Sequence, residues 1–225
     1  MKRIAIIAAM PAELKFLVHG CRHERRNGVD LWRSDKGEWI AACAGAGVAS
    51  ATRAFAEVEK LGPVTTVIST GWAGALRDDL APGQAYDVSI IIDARTGERF
   101  IAAGPPNHCW LVTSPRVVDA ADKKRLASTY EAALVDMEAA GVARLARMRG
   151  IPFYCIKGIS DGYNDQLPDF NNFISPDGRF KLIRFIVFAL LRPWYWYALI
   201  RMGENSRKAA RTIAQSLLDF LDEPE

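Results

Sequence analysis

The chain has 225 residues, half of them hydrophobic and about a quarter charged, with 29 Lys and Arg against 26 Asp and Glu for a net charge of +3. That length buries a sizeable core, and a single domain over 1–225 is expected. A balance this near neutral, with no Lys/Arg stripe interleaved with aromatics, argues against nucleic acid as a partner.

In chain order, Met1-Lys2-Arg3 runs straight into a short apolar stretch that reaches Glu13 quickly. It reads as a buried strand over 3–9 rather than a signal peptide. A short helix follows over 11–18. His19-x-Cys21-x-His23 invites a metal reading, but it lies in a polar stretch without further ligands, so no metal site is expected. Strands are predicted at 30–34 and 38–44, a helix at 48–61 and a buried strand at 64–69. Strands at 84–93 and 109–113, a helix at 116–128, a helix at 137–149 and a strand at 152–160 complete the pattern. This alternation predicts an α/β sandwich around a parallel or mixed sheet. Cys21, Cys43, Cys109 and Cys155 are scattered, without a CxxC pair, and read as reduced thiols of a cytoplasmic protein. No uncharged apolar stretch reaches 18 residues, so a spanning helix is not expected.

One carboxylate stands out. On a helix over 137–149, Glu138 falls three residues after Val135 and four before Val142, on the apolar stripe. A buried carboxylate costs several kcal/mol unless it is paired or used. In open α/β sheets ligands sit beyond the carboxyl ends of strands, and three such ends carry unusual residues. Glu13 opens a helix after Ala9-Met10-Pro11-Ala12, and Gly71-Trp72-Ala73-Gly74 reads as a glycine turn after the strand ending at Ser69. Asp161 follows Ser160. Singly these read as a dipole partner, a plain turn and a helix cap. Jointly with Glu138 they point to one cleft.

Ala8-Ala9-Met10-x-x-Glu13, Ala44-Gly45-Ala46-Gly47, Ser69-Thr70-Gly71-x-Ala73-Gly74, Val135-x-Met137-Glu138-Ala139 and Ile159-Ser160-Asp161 occur in this order. Together they resemble the purine nucleoside phosphorylase and methylthioadenosine/S-adenosylhomocysteine nucleosidase superfamily, over roughly residues 3–162. The resemblance implies a three-layer α/β/α sandwich with a central mixed sheet, cleavage of a purine N-glycosidic bond and assembly as a homo-oligomer. It implies that Glu138 stabilises the oxocarbenium-like sugar, that Asp161 is the acid toward the leaving base and that Glu13 orients the attacking water. Met10, Gly71, Trp72, Ala73, Val135 and Met137 would line the nucleoside site. Val135-Asp136-Met137-Glu138 and the tail Leu167-Pro168, Pro176-Asp177-Gly178 and Leu191-Arg192-Pro193 also look like the hopanoid-associated phosphorylase branch. That branch implies phosphorolysis of a lipid-linked adenosine such as adenosylhopane, with phosphate as co-substrate and no other cofactor.

The sequence departs from the pattern at the nucleophile. Trp72 stands where nucleosidases carry Ser, and Ser69 and Met10-Pro11 stand where phosphorylases show an arginine and a Gly/Arg anion site. Arg53 and Arg116 could supply positive charge, though nothing in the sequence places them; Trp72 reads as an apolar wall or as core. Water and phosphate both stay open. A non-catalytic nucleoside binder is a further alternative, whereas a dinucleotide-dependent oxidoreductase fails because no glycine follows the first strand. The hydrophobic block 182–202 is interrupted by Arg184, Arg192 and Arg201 and broken by Pro193, leaving two short amphipathic pieces. It admits core or subunit packing, a partner groove, or an apolar entrance and peripheral contact with the inner face of a membrane. A final amphipathic helix is predicted over 204–221.

Overall fold

Alternation along the first strand already separates the layers. A computed structural model describes residues 3–222, and β1 (Ile4–Ala8) lies fully buried at its centre. Ala5 and Ile7 point into one core and Ile4, Ile6 and Ala8 into another, as the period of two requires. Met1, Lys2 and 223–225, the ends of the expected 1–225 domain, lie outside the described residues.

The remaining elements in order are α1 (Pro11–Leu14), β2 (Arg22–Arg26), β3 (Val29–Arg33), β4 (Trp39–Cys43), α2 (Val48–Glu59), β5 (Thr66–Ala75), β6 (Ala85–Asp87), β7 (Ile90–Asp93), β8 (Arg99–Ile101) and β9 (Trp110–Thr113). Then follow α3 (Ala120–Tyr130), β10 (Leu134–Asp136), α4 (Ala139–Arg149), β11 (Phe153–Asp161), α5 (Leu182–Leu190) and α6 (Trp196–Asp222), with 3-10 turns at Phe170–Phe173 and Pro193–Tyr195. The strands form one mixed sheet in the order β2-β3-β4-β1-β5-β10-β9-β7-β8, with β11 paired to β5 and β6. Its second half closes on itself. β5 pairs β11, β11 pairs β6, the chain runs from β6 into β7, and β9 and β10 lead back to β5. Phe55, Val58, Val142 and Ala146 cover one face from α2 and α4, while Leu14, Ile213 and Leu217 cover the other from α1 and α6. The result is the expected α/β/α sandwich.

Several boundaries move, each for a local reason. The predicted glycine turn is not a turn: β5 continues through Thr70-Gly71-Trp72-Ala73-Gly74-Ala75, because β11 pairs with it as far as Gly74. The helix predicted over 116–128 begins at Ala120, where the Asp119 carboxylate caps the Asp122 N–H at 2.8 Å. The stretch 84–93 splits into β6 and β7, and the final helix begins at Trp196 rather than at 204. Glu138 does not ride on an apolar helix face. It is the N-cap of α4, at the carboxyl end of the interior strand β10, and it is buried there.

Candidate active site

Three carboxylates face one cavity of about 680 Å³ at the carboxyl ends of β1, β10 and β11. Each is placed by a different local device. Glu13 sits at the third position of the four-residue α1, after Met10 and Pro11. Its Oε2 reaches back to accept from the Ala9 and Met10 N–H groups, both at 2.8 Å, as in a capping box. Its Oε1 accepts from the Trp72 N–H at 2.9 Å. Gly71 makes this possible: it has φ +117°, and a Cβ there would lie 2.9 Å from the Glu13 carboxylate. Gly71 thus admits a protein carboxylate rather than a ligand, and it does not line the cavity itself. Burial raises the Glu13 carboxyl above its ordinary range, and the three N–H groups only partly offset this.

Glu138 joins two helix starts. Its Oε1 accepts from the Gly47 N–H, the N-cap of α2, at 2.6 Å, and its Oε2 from the Met137 N–H at 3.2 Å. Burial first, and the nearby Asp136 carboxylate second, push it up to about 8. Below it lies a buried ion pair, Lys157 to Asp136 at 2.9 Å, with Lys157 also donating to the Thr70 carbonyl at 3.0 Å. Burial opposes the charge of Lys157, but Asp136 overcomes it and holds the ammonium above the usual lysine range. Asp136 completes its shell with Thr113 Oγ1 at 2.7 Å and the Ala139 N–H at 2.9 Å, so the start of α4 is fixed relative to β9.

Asp161 ends β11. The pairing with β5 slips between Ile159 and Asp161, so Ser160 is a bulge residue, and the bulge turns Asp161 toward the cavity. Ser160 Oγ donates to Asp161 Oδ1 at 2.6 Å, and the Lys123 ammonium from α3 pairs with Oδ2.

Of the other residues predicted for the site, Met10, Trp72, Ala73, Val135 and Met137 all line the cavity. Trp72 both lines the wall and packs against the core, and its indole N–H donates to the Ser206 carbonyl of α6 at 3.0 Å. Arg53 is committed elsewhere, to the Ala44 and Asp177 carbonyls and Ser50 Oγ, while Arg116 reaches the cavity rim and pairs with Asp122 at 2.6 Å. Lys123, Lys157 and Asp136 were missed. Lys157 left a signal, a lone charge inside the apolar run Phe153–Ser160; Lys123, in Asp122-Lys123-Lys124, reads as a solvated helix face and left none.

The outer half of the cavity is apolar and comes from the C-terminal block. Phe170, Ile174, Phe180, Leu182 and Phe185 roof it, joined by Leu199 and Met202 of α6. Behind them Phe173 packs ring to ring against Phe180, Phe185 and Phe188. Among the described residues, nothing covers the opposite face of α5. Ile183 is 80% exposed and Leu190 65%, and Leu191, Trp194, Tyr197 and Ile200 extend the patch. No single helix among the described residues is long and apolar enough to cross a membrane; α5 and the segment from Pro193 pass together only as a pair bent by 104°.

A sequence model described as the phosphorylase superfamily matches residues 3–123 and 96–179. No curated protein matches the chain. Among solved structures, the chain is similar to the 5'-methylthioadenosine/S-adenosylhomocysteine nucleosidase of Helicobacter pylori, at 18% identity and a TM-score of 0.74, covering 100% of this chain and 99% of that one. The futalosine hydrolase of Helicobacter pylori matches at 17% identity and 0.74, covering 99% and 98%. The 5'-methylthioadenosine nucleosidase of Arabidopsis thaliana matches at 18% and 0.73, covering 100% and 98%. At these identities the likeness is one of fold.

Proposed function

Because this chain belongs to the phosphorylase superfamily, and so is a nucleoside phosphorylase or nucleosidase, we propose that it cleaves the N-glycosidic bond of an adenine nucleoside carrying a bulky apolar 5' substituent. The observation that carries this reading is the division of one cavity: Glu13, Glu138 and Asp161 at its floor, phenylalanines and leucines of the C-terminal block at its roof. The named activities of the structural neighbours, on methylthioadenosine and S-adenosylhomocysteine, support an adenine nucleoside at the floor. A lipid-linked adenosine would fill the roof, where a thiomethyl group would leave most of the apolar surface without a partner.

In this reading Glu138 accepts from the ribose hydroxyls and steadies the positive charge that grows at C1'. Asp161 protonates the departing base, a role worth roughly 10²–10⁴ in rate. Glu13 has one acceptor position left on Oε1 after its three N–H partners, enough to orient and deprotonate a water. Water is the nucleophile this geometry favours, since Arg53, Lys123 and Lys157 are each committed to protein oxygens. Phosphate is the second reading, supported by Arg116 and Arg207 at the cavity wall.

The uncovered face of α5 supports contact with an anionic membrane surface. Residues 178–203 carry Arg179, Lys181, Arg184, Arg192 and Arg201 and no acidic residue. Two copies meeting across this face would set like charges together, whereas lipid headgroups would neutralise them.

The test is adenine release from adenosine, methylthioadenosine, S-adenosylhomocysteine and adenosylhopane, each with and without phosphate. We expect the lipid-linked substrate to give the highest kcat/KM, without a phosphate requirement. Release from none of them overturns the reading, equal efficiency on all removes the lipid substituent, and strict phosphate dependence replaces water by phosphate.

A further inference from the structure

Lys123 is a buried cation that the roles assigned above do not use. Its side chain is 3% exposed, and its ammonium meets two oxygens, the Asp161 carboxylate and the Gly162 carbonyl at 2.7 Å. Burying an ammonium costs several kcal/mol, and a buried pair seldom repays it in stability, so stability alone is a weak reason for the arrangement. The surroundings are shaped for it. A Cβ on Gly74 would stand 3.1 Å from Asp161 Oδ2 and 3.3 Å from Lys123 Cε, so glycine makes room for both. Asp122, the adjacent carboxylate, is held by Arg116 at 2.6 Å and Arg125 at 2.9 Å, which leaves Asp161 as the acidic partner of Lys123. Both residues line the cavity.

An acid that protonates a leaving base must itself receive a proton. Among the described residues, the protonated groups touching the Asp161 carboxylate are the Ser160 hydroxyl, on Oδ1, and the Lys123 ammonium, on Oδ2. We propose that Lys123 is a positioning residue that supplies, through Asp161, the proton taken by the departing base. As the C1'–N bond breaks, its electron pair passes to the base. Lys123 passes a proton to the Asp161 carboxylate, and Asp161 passes one to a ring nitrogen of the base, so that Asp161 returns to a carboxylate and Lys123 is left as a neutral amine. Solvent reprotonates Lys123 once the base has gone. This rests on the reading of Asp161 as the acid.

The experiment compares wild type with Lys123→Met and Lys123→Arg on the best adenine nucleoside and on 4-nitrophenyl riboside, whose leaving group departs without a proton. Lys123→Met should lower kcat on the nucleoside by about 10²-fold or more, within the range for acid–base catalysis, and change the nitrophenyl reaction less than about threefold. Arginine keeps the charge but does not give up its proton, so Lys123→Arg should be nearly as slow as Lys123→Met on the nucleoside. Wild-type turnover in Lys123→Arg, or equal losses on both leaving groups, overturns the proposal and leaves a structural ion pair. Absence of adenine release by wild type overturns the functional reading itself, and is distinguishable because it precedes any variant.

Discussion

Replacing Glu138 by Gln tests whether its burial is a cost borne for function. The carboxyl is raised from 4.5 to about 8 by burial and by Asp136, with Lys157 and the Gly47 N–H opposing and Glu13 adding to the rise. Because the folded value lies above the unfolded one, the native state holds an extra proton between them. Stability is therefore intact below about 4.5 and falls as pH rises toward 8. At about 1.4 kcal/mol per pH unit, ionising this group in the native state costs on the order of 5 kcal/mol once pH exceeds both values. A glutamine does not titrate. It can still accept from the Gly47 N–H, at the cost of an amide facing the Met137 N–H. The gap in Tm between variant and wild type should thus widen in favour of the variant between pH 5 and pH 8.5. For a chain of this size 1 kcal/mol moves Tm by about 2–4 °C, so the change is roughly 10 °C. Turnover should fall by roughly 10²–10³ in the same variant, since an amide does not stabilise the sugar cation. Differential scanning fluorimetry across that pH range, on both proteins, is the assay. Parallel Tm curves would refute the argument from burial, and undiminished turnover would refute the role.

Three further outcomes follow from neighbouring contacts. Gly71→Ala places a methyl 2.9 Å from the Glu13 carboxylate at φ +117°, so it should lower both Tm and adenine release, the latter at least tenfold; wild-type values for both would show that Glu13 is not held as described. Lys157→Met leaves Asp136 buried without its cation and should cost about 3–5 kcal/mol in urea denaturation, a loss that Asp136→Asn in the same chain should partly restore. Unchanged stability would remove the ion pair from the account. A Trp194→Ala/Tyr197→Ala chain should keep its fold, because both side chains are largely exposed, yet sediment less with anionic liposomes, its residual binding still lost on adding salt because the basic residues stay. Equal sedimentation with neutral vesicles would remove the anionic headgroups from this reading, and none by wild type would end it.

What the sequence made legible divides along physical lines. β1, β4, α2 and β11 were readable because their apolar residues are dense or periodic, and their chain order implied the sandwich. β2 was not: Arg22-His23-Glu24-Arg25-Arg26 has no apolar residue, and only pairing with β3 makes it a strand. Glu138 was found for a reason that did not hold, since helical spacing suggested burial and the N-cap position supplies it. Trp72 and Gly71 were singled out as a turn, but long-range pairing with β11 keeps them extended, a force no local window contains. Lys123 was out of reach, because a solvated helix face and a buried ammonium look alike until α3 is placed against β11.

Among the described residues β2, β6 and β8 each pair on one side only, and the chemistry of β2 and β8 differs from that of the α5 face. β2 presents four charged residues and a histidine in five positions, and β8 is three residues long. Short strands and strand edges dense in charge resist pairing with another chain. Edge-to-edge growth through these two strands is thereby disfavoured, and the exposed apolar surface lies instead on the face of α5 turned away from the cavity.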